Sequence, residues 1–305
     1  MANLKTLTLT NFTTHSGTFY SQFPLHYEHF GADYKTAPVV LVNHSLTGDS
    51  SVCGEKGWWS EMVGPRLSID TDKYAIIAFN IPGNGVANSL YDNYEDFHTG
   101  DIAKLFFLGL DHLGITSLFA NIGGSIGGGI AWEMTALYPD LAQYLIPVAA
   151  DWKASDWIIA NTFLQRRILE NSSKPLEDAR IHAMLTYRTP HSLDFRFSRS
   201  MNQELNIYNV ESWLLHHGLK LANRFDLKAY IMMNHLLSSI NITRDNASFK
   251  KIVSKISASI HLISIDTDLF FTPHEDQKTY NKVKAFKNNI SFHEIDSIHG
   301  HDAFL

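Results

Sequence analysis

Short apolar runs recur along the 305-residue chain and predict a series of buried strands. The run Val39–Val42 is continuous and β-branched, which is typical of a strand buried on both faces. The run Phe23–Phe30 alternates between apolar and polar residues, as a half-buried strand does. The same reasoning gives seven strands, at 23–30, 39–42, 74–79, 118–122, 144–148, 260–265 and 290–295.

Helical patterns lie between these strands. Residues 101–113 carry apolar side chains at helical spacing, and residues 126–137 follow a cluster of glycines. Strands that alternate with helices predict an α/β fold, with a mostly parallel sheet covered by helices on both faces.

The segment 151–245 breaks this rhythm, because it shows no clear strand and carries Trp, Leu, Phe, Arg and His at helical spacings. Pro175 and Pro190 interrupt it. We therefore predict a core domain of residues 1–150 and 246–305, with residues 151–245 inserted as a helical lid over the active site. A structural cap without a role in specificity is the alternative.

The amino-acid composition and the net charge exclude several classes of protein. Hydrophobic residues make up 45% of the chain and charged residues 18%, which excludes wholesale disorder. The net charge of −6 means that the chain lacks the excess of positive charge typical of proteins that bind nucleic acid or an anionic membrane. No apolar stretch is long enough to predict a membrane-spanning helix, and no secretory signal is apparent, so we expect a cytoplasmic protein. The single cysteine, Cys53, excludes a disulfide framework and a multi-cysteine metal site.

The most informative motif is Gly123-Gly-Ser-Ile-Gly127, which fits G-x-S-x-G between a predicted strand and a predicted helix. In that context the motif forms a sharp turn that exposes the hydroxyl of Ser125 as a nucleophile. The N–H of Ile126, at the helix N-terminus, is then placed to stabilise an oxyanion. The alternatives are a glycine-rich turn or a phosphate-binding loop, but no Gly-Lys-Ser/Thr sequence occurs.

A serine nucleophile needs a base and an orienting carboxylate, in the chain order Ser, acid, His for this motif. Asp266 and Asp268 follow one late strand, and His299 and His301 follow the last. The pattern leaves both pairs open. His299 and His301 also fit a metal-binding pair, but no third ligand cluster is evident, so no metal is expected.

These motifs, taken in order, resemble the homoserine O-acetyltransferases, a family of acyltransferases with the α/β-hydrolase fold. The resemblance runs from about Val39 to the end of the chain. The matching pieces are Asn43-His-Ser-Leu-Thr-Gly-Asp49, Gly57-Trp-Trp59, Met62-Val-Gly-Pro65, Ile69–Tyr74, Gly123–Gly128, Gln165–Leu169, Leu185-Thr-Tyr-Arg-Thr-Pro190, Val210–Leu214, Arg224-Phe-Asp226, Ile265–Phe270 and Gly300–Leu305.

The resemblance implies a reaction and a catalytic triad. The expected reaction moves an acetyl group from acetyl-CoA to L-homoserine in methionine biosynthesis, through an acyl-serine intermediate. Asp268 and His301 occupy the acid and base positions, beside Ser125. The N–H of Leu46 is the second oxyanion donor, with that of Ile126.

The resemblance also implies the substrate contacts and the partners. Arg188 is expected to bind the substrate carboxylate, with Tyr187 beside it, and Asp302 to lie near the substrate ammonium. Each has a plainer interpretation, because Arg188 can tie lid helices together and Asp302 can cap the last helix. Acetyl-CoA is a co-substrate and no bound cofactor is expected. A homodimer through the lid helices is a further expectation.

The chain departs from the family pattern in the loop at residues 80–88, at His299, and in the few residues that follow His301. The altered loop is the main support for a rival function. Residues 80–88 lack the Gly-Gly-Cys and Gly-Ser-Thr-Gly-Pro sequences usual there, and His299 replaces an aromatic residue. The rival is a serine esterase or thioesterase on the same scaffold. A transferase that uses serine as acceptor or succinyl-CoA as donor is the other alternative.

Overall fold

A computed structural model describes residues 4–244 and 247–305 of the chain. Its strands are β1 (Lys5–Thr13), β2 (Phe19–Gly31), β3 (Val39–Asn43), β4 (Val63–Gly64), β5 (Ile69–Asp70), β6 (Ala75–Phe79), β7 (Leu118–Gly124), β8 (Ala142–Val148), β9 (Met201–Asn202), β10 (Ile207–Tyr208), β11 (Ser259–Ile265) and β12 (Ile290–Ile295). Its α-helices are α1 (Thr99–His112), α2 (Ile126–Leu137), α3 (Asp156–Asn171), α4 (Pro175–Tyr187), α5 (Pro190–Phe197), α6 (Asn209–Ala222), α7 (Leu227–Ser238), α8 (Phe249–Val253) and α9 (Pro273–Lys284). Short 3-10 helices lie at Val86–Asn88, Tyr94–Asp96 and Gly300–Phe304.

Eight strands form one central sheet in the order β1-β2-β6-β3-β7-β8-β11-β12. Six neighbouring strands in this order, β6, β3, β7, β8, β11 and β12, are parallel. Strands β1 and β2 add an antiparallel edge. The chain builds outward from β3 first to one side and then to the other. Ligand sites in such sheets lie beyond the carboxyl ends of the strands near this reversal.

Successive side chains of the central strands point to opposite faces of the sheet and pack into two apolar layers. Leu41 and Ile77 pack with α1 and α2 on one face of the sheet. Val42 and Ile76 face the other side, where Trp59 covers them together with other apolar residues. The continuous apolar runs in the sequence reflect this burial on both faces.

All seven predicted strands are present, but the sequence prediction missed β1 and the two-residue strands β4 and β5. Leu7 and Leu9 alternate with threonines and are buried, so a weak strand signal was present. Helix α1 begins at Thr99, two residues before the prediction. His98 and Asp101 explain the earlier start, because each side chain accepts a hydrogen bond from the backbone of the other in a capping box.

Six α-helices, α3 to α8, lie between β8 and β11, and the first five of them, α3 to α7, fall within residues 151–244. Pro175 and Pro190 each stand in the first turn of a helix, where a missing N–H costs nothing. The prediction of no strand in this segment is wrong at β9 and β10, whose paired residues are too few to give a periodic signal. The division into core and lid stays a prediction, and its boundary at residues 245 and 246, like residues 1–3, lies outside the described residues.

Among the residues described, no helix is both long and apolar enough to cross a lipid bilayer.

Candidate active site

Three predicted site residues meet beyond the carboxyl ends of the parallel strands. Ser125 directly follows β7, Asp268 follows β11, and His301 follows β12. All three are nearly inaccessible to solvent, at 4%, 2% and 3% exposure. The parallel sheet therefore brings together groups that are far apart in the sequence.

The backbone at Ser125 is held in a conformation that L-residues rarely adopt, with φ 57° and ψ −127°. The turn is tight on both sides. A Cβ at Gly123 would lie 2.4 Å from the carbonyl carbon of Gly127, and a Cβ at Gly127 would lie 2.3 Å from the carbonyl oxygen of Asn43. Only glycine fits at these two positions, which is the steric reason for the motif.

A continuous hydrogen-bonded chain links the three side chains. His301 Nε2 lies 3.0 Å from Ser125 Oγ, and His301 Nδ1 lies 2.7 Å from Asp268 Oδ2. The other carboxylate oxygen of Asp268 accepts the N–H groups of Phe270 and Phe271, at 2.6 and 3.0 Å. This geometry is that of a nucleophile, a base and an orienting acid.

The other member of each candidate pair lies elsewhere. Asp266 accepts the backbone N–H of Ser297 at 3.0 Å. His299 is exposed, and its Nδ1 lies 2.9 Å from Ser192 Oγ. The residues described contain no group of three His, Cys, Asp or Glu side chains placed to hold a metal ion.

Aromatic rings surround the imidazole of His301. The ring centroids of Tyr187, Phe270, Phe271 and Phe304 lie 5.4, 5.3, 5.8 and 5.3 Å from it. Burial is the main cause that raises the pKa of Tyr187, so its hydroxyl stays protonated. The base is thus shielded from bulk water by apolar surface.

The segment that carries His301 is anchored from several directions. Trp59 Nε1 donates to the carbonyl oxygen of Phe304 at 2.7 Å, and Thr189 Oγ1 donates to that of Ile298 at 2.5 Å. The N–H of Gly300 donates to Thr267 Oγ1 at 3.2 Å. These bonds fix the position of the imidazole although little regular structure follows β12.

The two predicted oxyanion donors lie on neighbouring strands. Leu46 follows β3 and Ile126 opens α2 directly after β7, and β3 pairs with β7. The N–H of Ile126 has no acceptor within its own helix, because it belongs to the first turn. The N-terminus of α2 also gives this position a partial positive charge.

His44 holds the loop that carries Leu46, and sequence reasoning missed it. Its side chain is fully buried, and its Nε2 accepts the N–H of Ile81 at 2.9 Å. Its Nδ1 must then carry the proton, which is donated to the carbonyl oxygen of Ser45 at 2.7 Å. Burial lowers the pKa of His44, so the ring is neutral. The partner is 37 residues away, and no local pattern in the sequence indicates it.

Hydrogen bonds hold the loop at residues 80–88, where the chain departs from the family pattern, against the segment that follows β3. Asn80 Oδ1 accepts the N–H of Ser50 at 3.0 Å and the side-chain amide of Asn84 at 3.0 Å. Ser50 Oγ in turn donates to Glu28 Oε2 at 2.7 Å.

The predicted substrate residues Arg188 and Asp302 pair with each other. Arg188 Nε lies 3.0 Å from Asp302 Oδ2, next to His301 in the chain. Tyr187 precedes Arg188, and its ring lies beside that of His301. One cationic and one anionic group are thus paired here, and the anionic one is next to His301 in the chain.

A cavity separates the inserted helices from the oxyanion loop. Its walls include Leu46, Tyr187, Tyr230, Phe270 and Gln165. Gln165 is buried, and its Oε1 has no hydrogen-bond partner among the residues described. The side chains of Asn161, Thr162, Thr186 and Asn234 also line the cavity, so its wall is mixed polar and apolar.

Two buried carboxyl groups lie behind the site. Asp151 follows β8, and its Oδ1 accepts the N–H of Trp152 and the hydroxyl of Thr279, both at 2.8 Å. Burial raises the pKa of Asp151 to about 7. Burial, together with the charge of Asp151, raises the pKa of Asp276 well above its usual value.

Comparisons with known proteins bear on the fold and the family of this chain. A family model for the alpha/beta hydrolase fold matches residues 38–304. A homoserine O-acetyltransferase of Symbiobacterium thermophilum is 31% identical over 333 residues, which cover 95% of this chain and 87% of that protein.

Solved structures of other proteins are also similar to this chain. A homoserine O-acetyltransferase from Staphylococcus aureus superposes with a TM-score of 0.84 at 25% identity, over 99% of this chain and 90% of that one. The structure of esterase E22 superposes with a TM-score of 0.84 at 18% identity, over 98% and 94% of the two chains. At that identity the esterase supports the fold alone. The predicted α/β-hydrolase fold is confirmed.

The hydrogen bonds of His44 predict a loss of stability on truncation. We expect His44→Ala to lower the free energy of unfolding by about 1–3 kcal/mol, because the buried N–H of Ile81 loses its acceptor. Urea denaturation measures this, with His191→Ala, an exposed imidazole on α5, as the control. Equal losses in the two variants would contradict the role given to His44.

The buried Asp151 predicts a pH-dependent stability. Its pKa of about 7 in the folded protein exceeds the ordinary 3.8, so the folded state binds more protons between these values. The free energy of unfolding should therefore fall as the pH rises from about 4 to about 7. Asp151→Asn should flatten this decline, while Asp111→Asn, at an exposed site, should not. Parallel stability curves for Asp151→Asn and the unmodified protein would refute the prediction.

Proposed function

The chain belongs to the homoserine O-acetyltransferases, a family of the α/β-hydrolase fold, and from this premise we propose that it transfers an acetyl group from acetyl-CoA to L-homoserine. The observation that carries the proposal is the hydrogen-bonded chain from Ser125 through His301 to Asp268 at the edge of the sheet. Methionine biosynthesis is the pathway that this reaction serves.

The first half of the reaction acylates the enzyme. His301 Nε2 takes the proton of Ser125 Oγ as this oxygen attacks the thioester carbonyl of acetyl-CoA. Asp268 orients the imidazole and stabilises its positive charge. The N–H groups of Leu46 and Ile126 stabilise the oxyanion. The bond between the carbonyl carbon and sulfur then breaks, and CoA leaves with the proton held by His301.

The second half transfers the acetyl group. The γ-hydroxyl of homoserine attacks the acyl-serine, and His301 again accepts the proton. The ester bond to Ser125 Oγ breaks, and the proton on His301 returns to this oxygen. The proton balance closes without a metal ion or a redox partner.

Arg188 and Asp302 are the groups that we assign to the acceptor. An amino acid carries a carboxylate and an ammonium on one carbon, so an adjacent guanidinium and carboxylate match both charges. The two side chains neutralise each other when the site is empty of substrate. The acceptor would join or replace this pair, with Arg188 on its carboxylate and Asp302 on its ammonium. Tyr187 lies beside them and limits the space above His301.

Transfer requires that water be kept from the acyl-enzyme. The four aromatic rings around His301 and the helices α3 to α7 supply apolar cover. An acceptor bound close to Ser125 then competes with a depleted supply of water. Hydrolysis is the outcome expected if this cover is incomplete.

The assembly and location follow as further parts of the proposal. Leu215 and Leu219 on α6 are about half exposed, as are Trp157 and Phe163 on α3. Apolar side chains of this size on the inserted helices suit a homodimer interface. We assign the enzyme to the cytoplasm, with acyl-CoA and a hydroxy-amino acid as its small-molecule partners.

Thiol release from acetyl-CoA tests the reaction. We expect release by the purified protein to depend strongly on L-homoserine, with O-acetylhomoserine as the product. Ser125→Ala should reduce the rate to background, because the nucleophile is lost, while Ser254→Ala, an exposed serine, should not. Parallel assays with L-serine and with succinyl-CoA define the acceptor and the donor. Release that ignores every acceptor would identify a thioesterase instead.

The paired charges at Arg188 and Asp302 predict an effect on the acceptor. We expect Asp302→Asn and Arg188→Gln each to raise the KM for L-homoserine by about tenfold or more, because a charge-assisted contact is lost. Steady-state kinetics at saturating acetyl-CoA measure this. Arg167→Gln on α3, whose charge pairs with Glu170, is the matched control. An unchanged KM for homoserine in both variants would exclude these residues from the acceptor site.

A further inference from the structure

A second cavity opens on the outer side of Arg188, between α5 and α6. Its walls include Arg188, Ser192, Phe195, Arg196, Trp213 and His299. Its volume is about 110 Å³, and it is open to the surface. It can therefore hold only part of a large ligand, whose remainder would lie outside it.

The cavity is cationic. None of its lining residues is acidic, and two are arginines. Arg188 is held by Asp302, but Arg196 makes no ion pair with any carboxylate in residues 4–244 and 247–305, unlike Arg166, Arg167 and Arg244. The guanidinium of Arg196 lies instead over the rings of Phe197 and Trp213, at 5.6 and 5.7 Å. A stacked guanidinium keeps its N–H edge available for an anion.

The charge of the inserted segment also favours an anionic ligand. Residues 151–244 contain twelve Lys and Arg against nine Asp and Glu, in a chain whose net charge is −6. Positive charge is therefore concentrated above the site, while the rest of the chain is acidic. Such a distribution attracts an anionic ligand to the lid side of the molecule.

The cavity also offers an aromatic surface. The side chain of Phe195 is 73% exposed although it is large and apolar. A planar heterocycle can stack on such a ring, and a phosphate can bind the neighbouring guanidinium. Cationic and aromatic groups side by side are what a nucleotide requires.

The position of the cavity fits the far end of a long substrate. Its inner wall is formed by Arg188 and His299, which adjoin Tyr187 and the segment that carries His301. A thioester of CoA places its acyl group at the end of a long pantetheine arm, away from the phosphates and the adenine. The phosphates must therefore bind outside the reaction centre, not beside Ser125.

We propose that this cavity binds the nucleotide end of the CoA donor, with Arg196 on a phosphate and the ring of Phe195 against the adenine. The inference rests on the proposed function, because it assumes a CoA thioester as donor. It assigns donor recognition to the lid helices, whereas the acceptor is assigned to Arg188 and Asp302.

Direct binding of three ligands tests the assignment. Calorimetry compares CoA, pantetheine 4′-phosphate, which lacks the adenosine 3′,5′-bisphosphate part, and pantetheine, which also lacks the remaining phosphate. We expect Arg196→Gln to raise the Kd for CoA and for pantetheine 4′-phosphate by about tenfold, because a charge-assisted contact is lost. The Kd for pantetheine should stay within about twofold. Arg167→Gln is the matched control.

Phe195→Ala tests the adenine contact separately. This variant should raise the Kd for CoA but leave the Kd for pantetheine 4′-phosphate unchanged. The residue is exposed, so the variant should fold, and circular dichroism checks this.

The outcomes separate the two proposals. Weakened binding of all three ligands alike in Arg196→Gln, or an unchanged Kd for CoA, would overturn the cavity assignment while leaving homoserine-dependent transfer intact. A rise in the KM for homoserine instead would move Arg196 to the acceptor side. Failure of the unmodified protein to bind CoA or to release thiol from acetyl-CoA would overturn the proposed function, and this inference with it.

Discussion

The backbone conformation of Ser125 is the constraint on which the rest of the site depends. A positive φ at a residue with a side chain costs on the order of 1–3 kcal/mol, so the surrounding structure must enforce it. Here the enforcing contacts come from close backbone packing at Gly123 and Gly127. The second of these contacts is with Asn43, at the end of β3, so the nucleophile and the loop that carries Leu46 are positioned together.

The remaining chemistry is assembled by the order of the strands. Parallel strands deliver their carboxyl ends to one edge, so the residues after β7, β11 and β12 meet although they are far apart in sequence. Contacts beyond the sheet then fix each group. The bond from Trp59 to Phe304 holds the segment of the base, and the bond from Ile81 to His44 holds the oxyanion loop. Hydrogen bonds formed by buried groups are suited to this task, because breaking them leaves a polar group without water.

Much of this arrangement was readable from the sequence, because its signals are local. The elbow motif and the apolar runs indicated the fold and the nucleophile. The choice between Asp266 and Asp268, or between His299 and His301, was not readable from pattern, because each pair follows one strand and only the turn decides which side chain points at the site. The family resemblance indicated Asp268 and His301, and the structure places these two beside Ser125. His44 and the network around Asn80 were not predictable, because their partners are distant in sequence. Strand β1 could have been predicted as well, because Leu7 and Leu9 alternate with threonines, which favour strands.

The central claim is that Ser125 carries the acetyl group between donor and acceptor. Intact-protein mass spectrometry after rapid mixing with acetyl-CoA tests it most directly, followed by peptide mapping. The account predicts a mass increase of one acetyl group, located on Ser125, that disappears when L-homoserine is added and O-acetylhomoserine forms. Product formation without any acetylated Ser125, in an enzyme quenched during turnover and in one given acetyl-CoA alone, would contradict the account and indicate direct transfer between bound substrates.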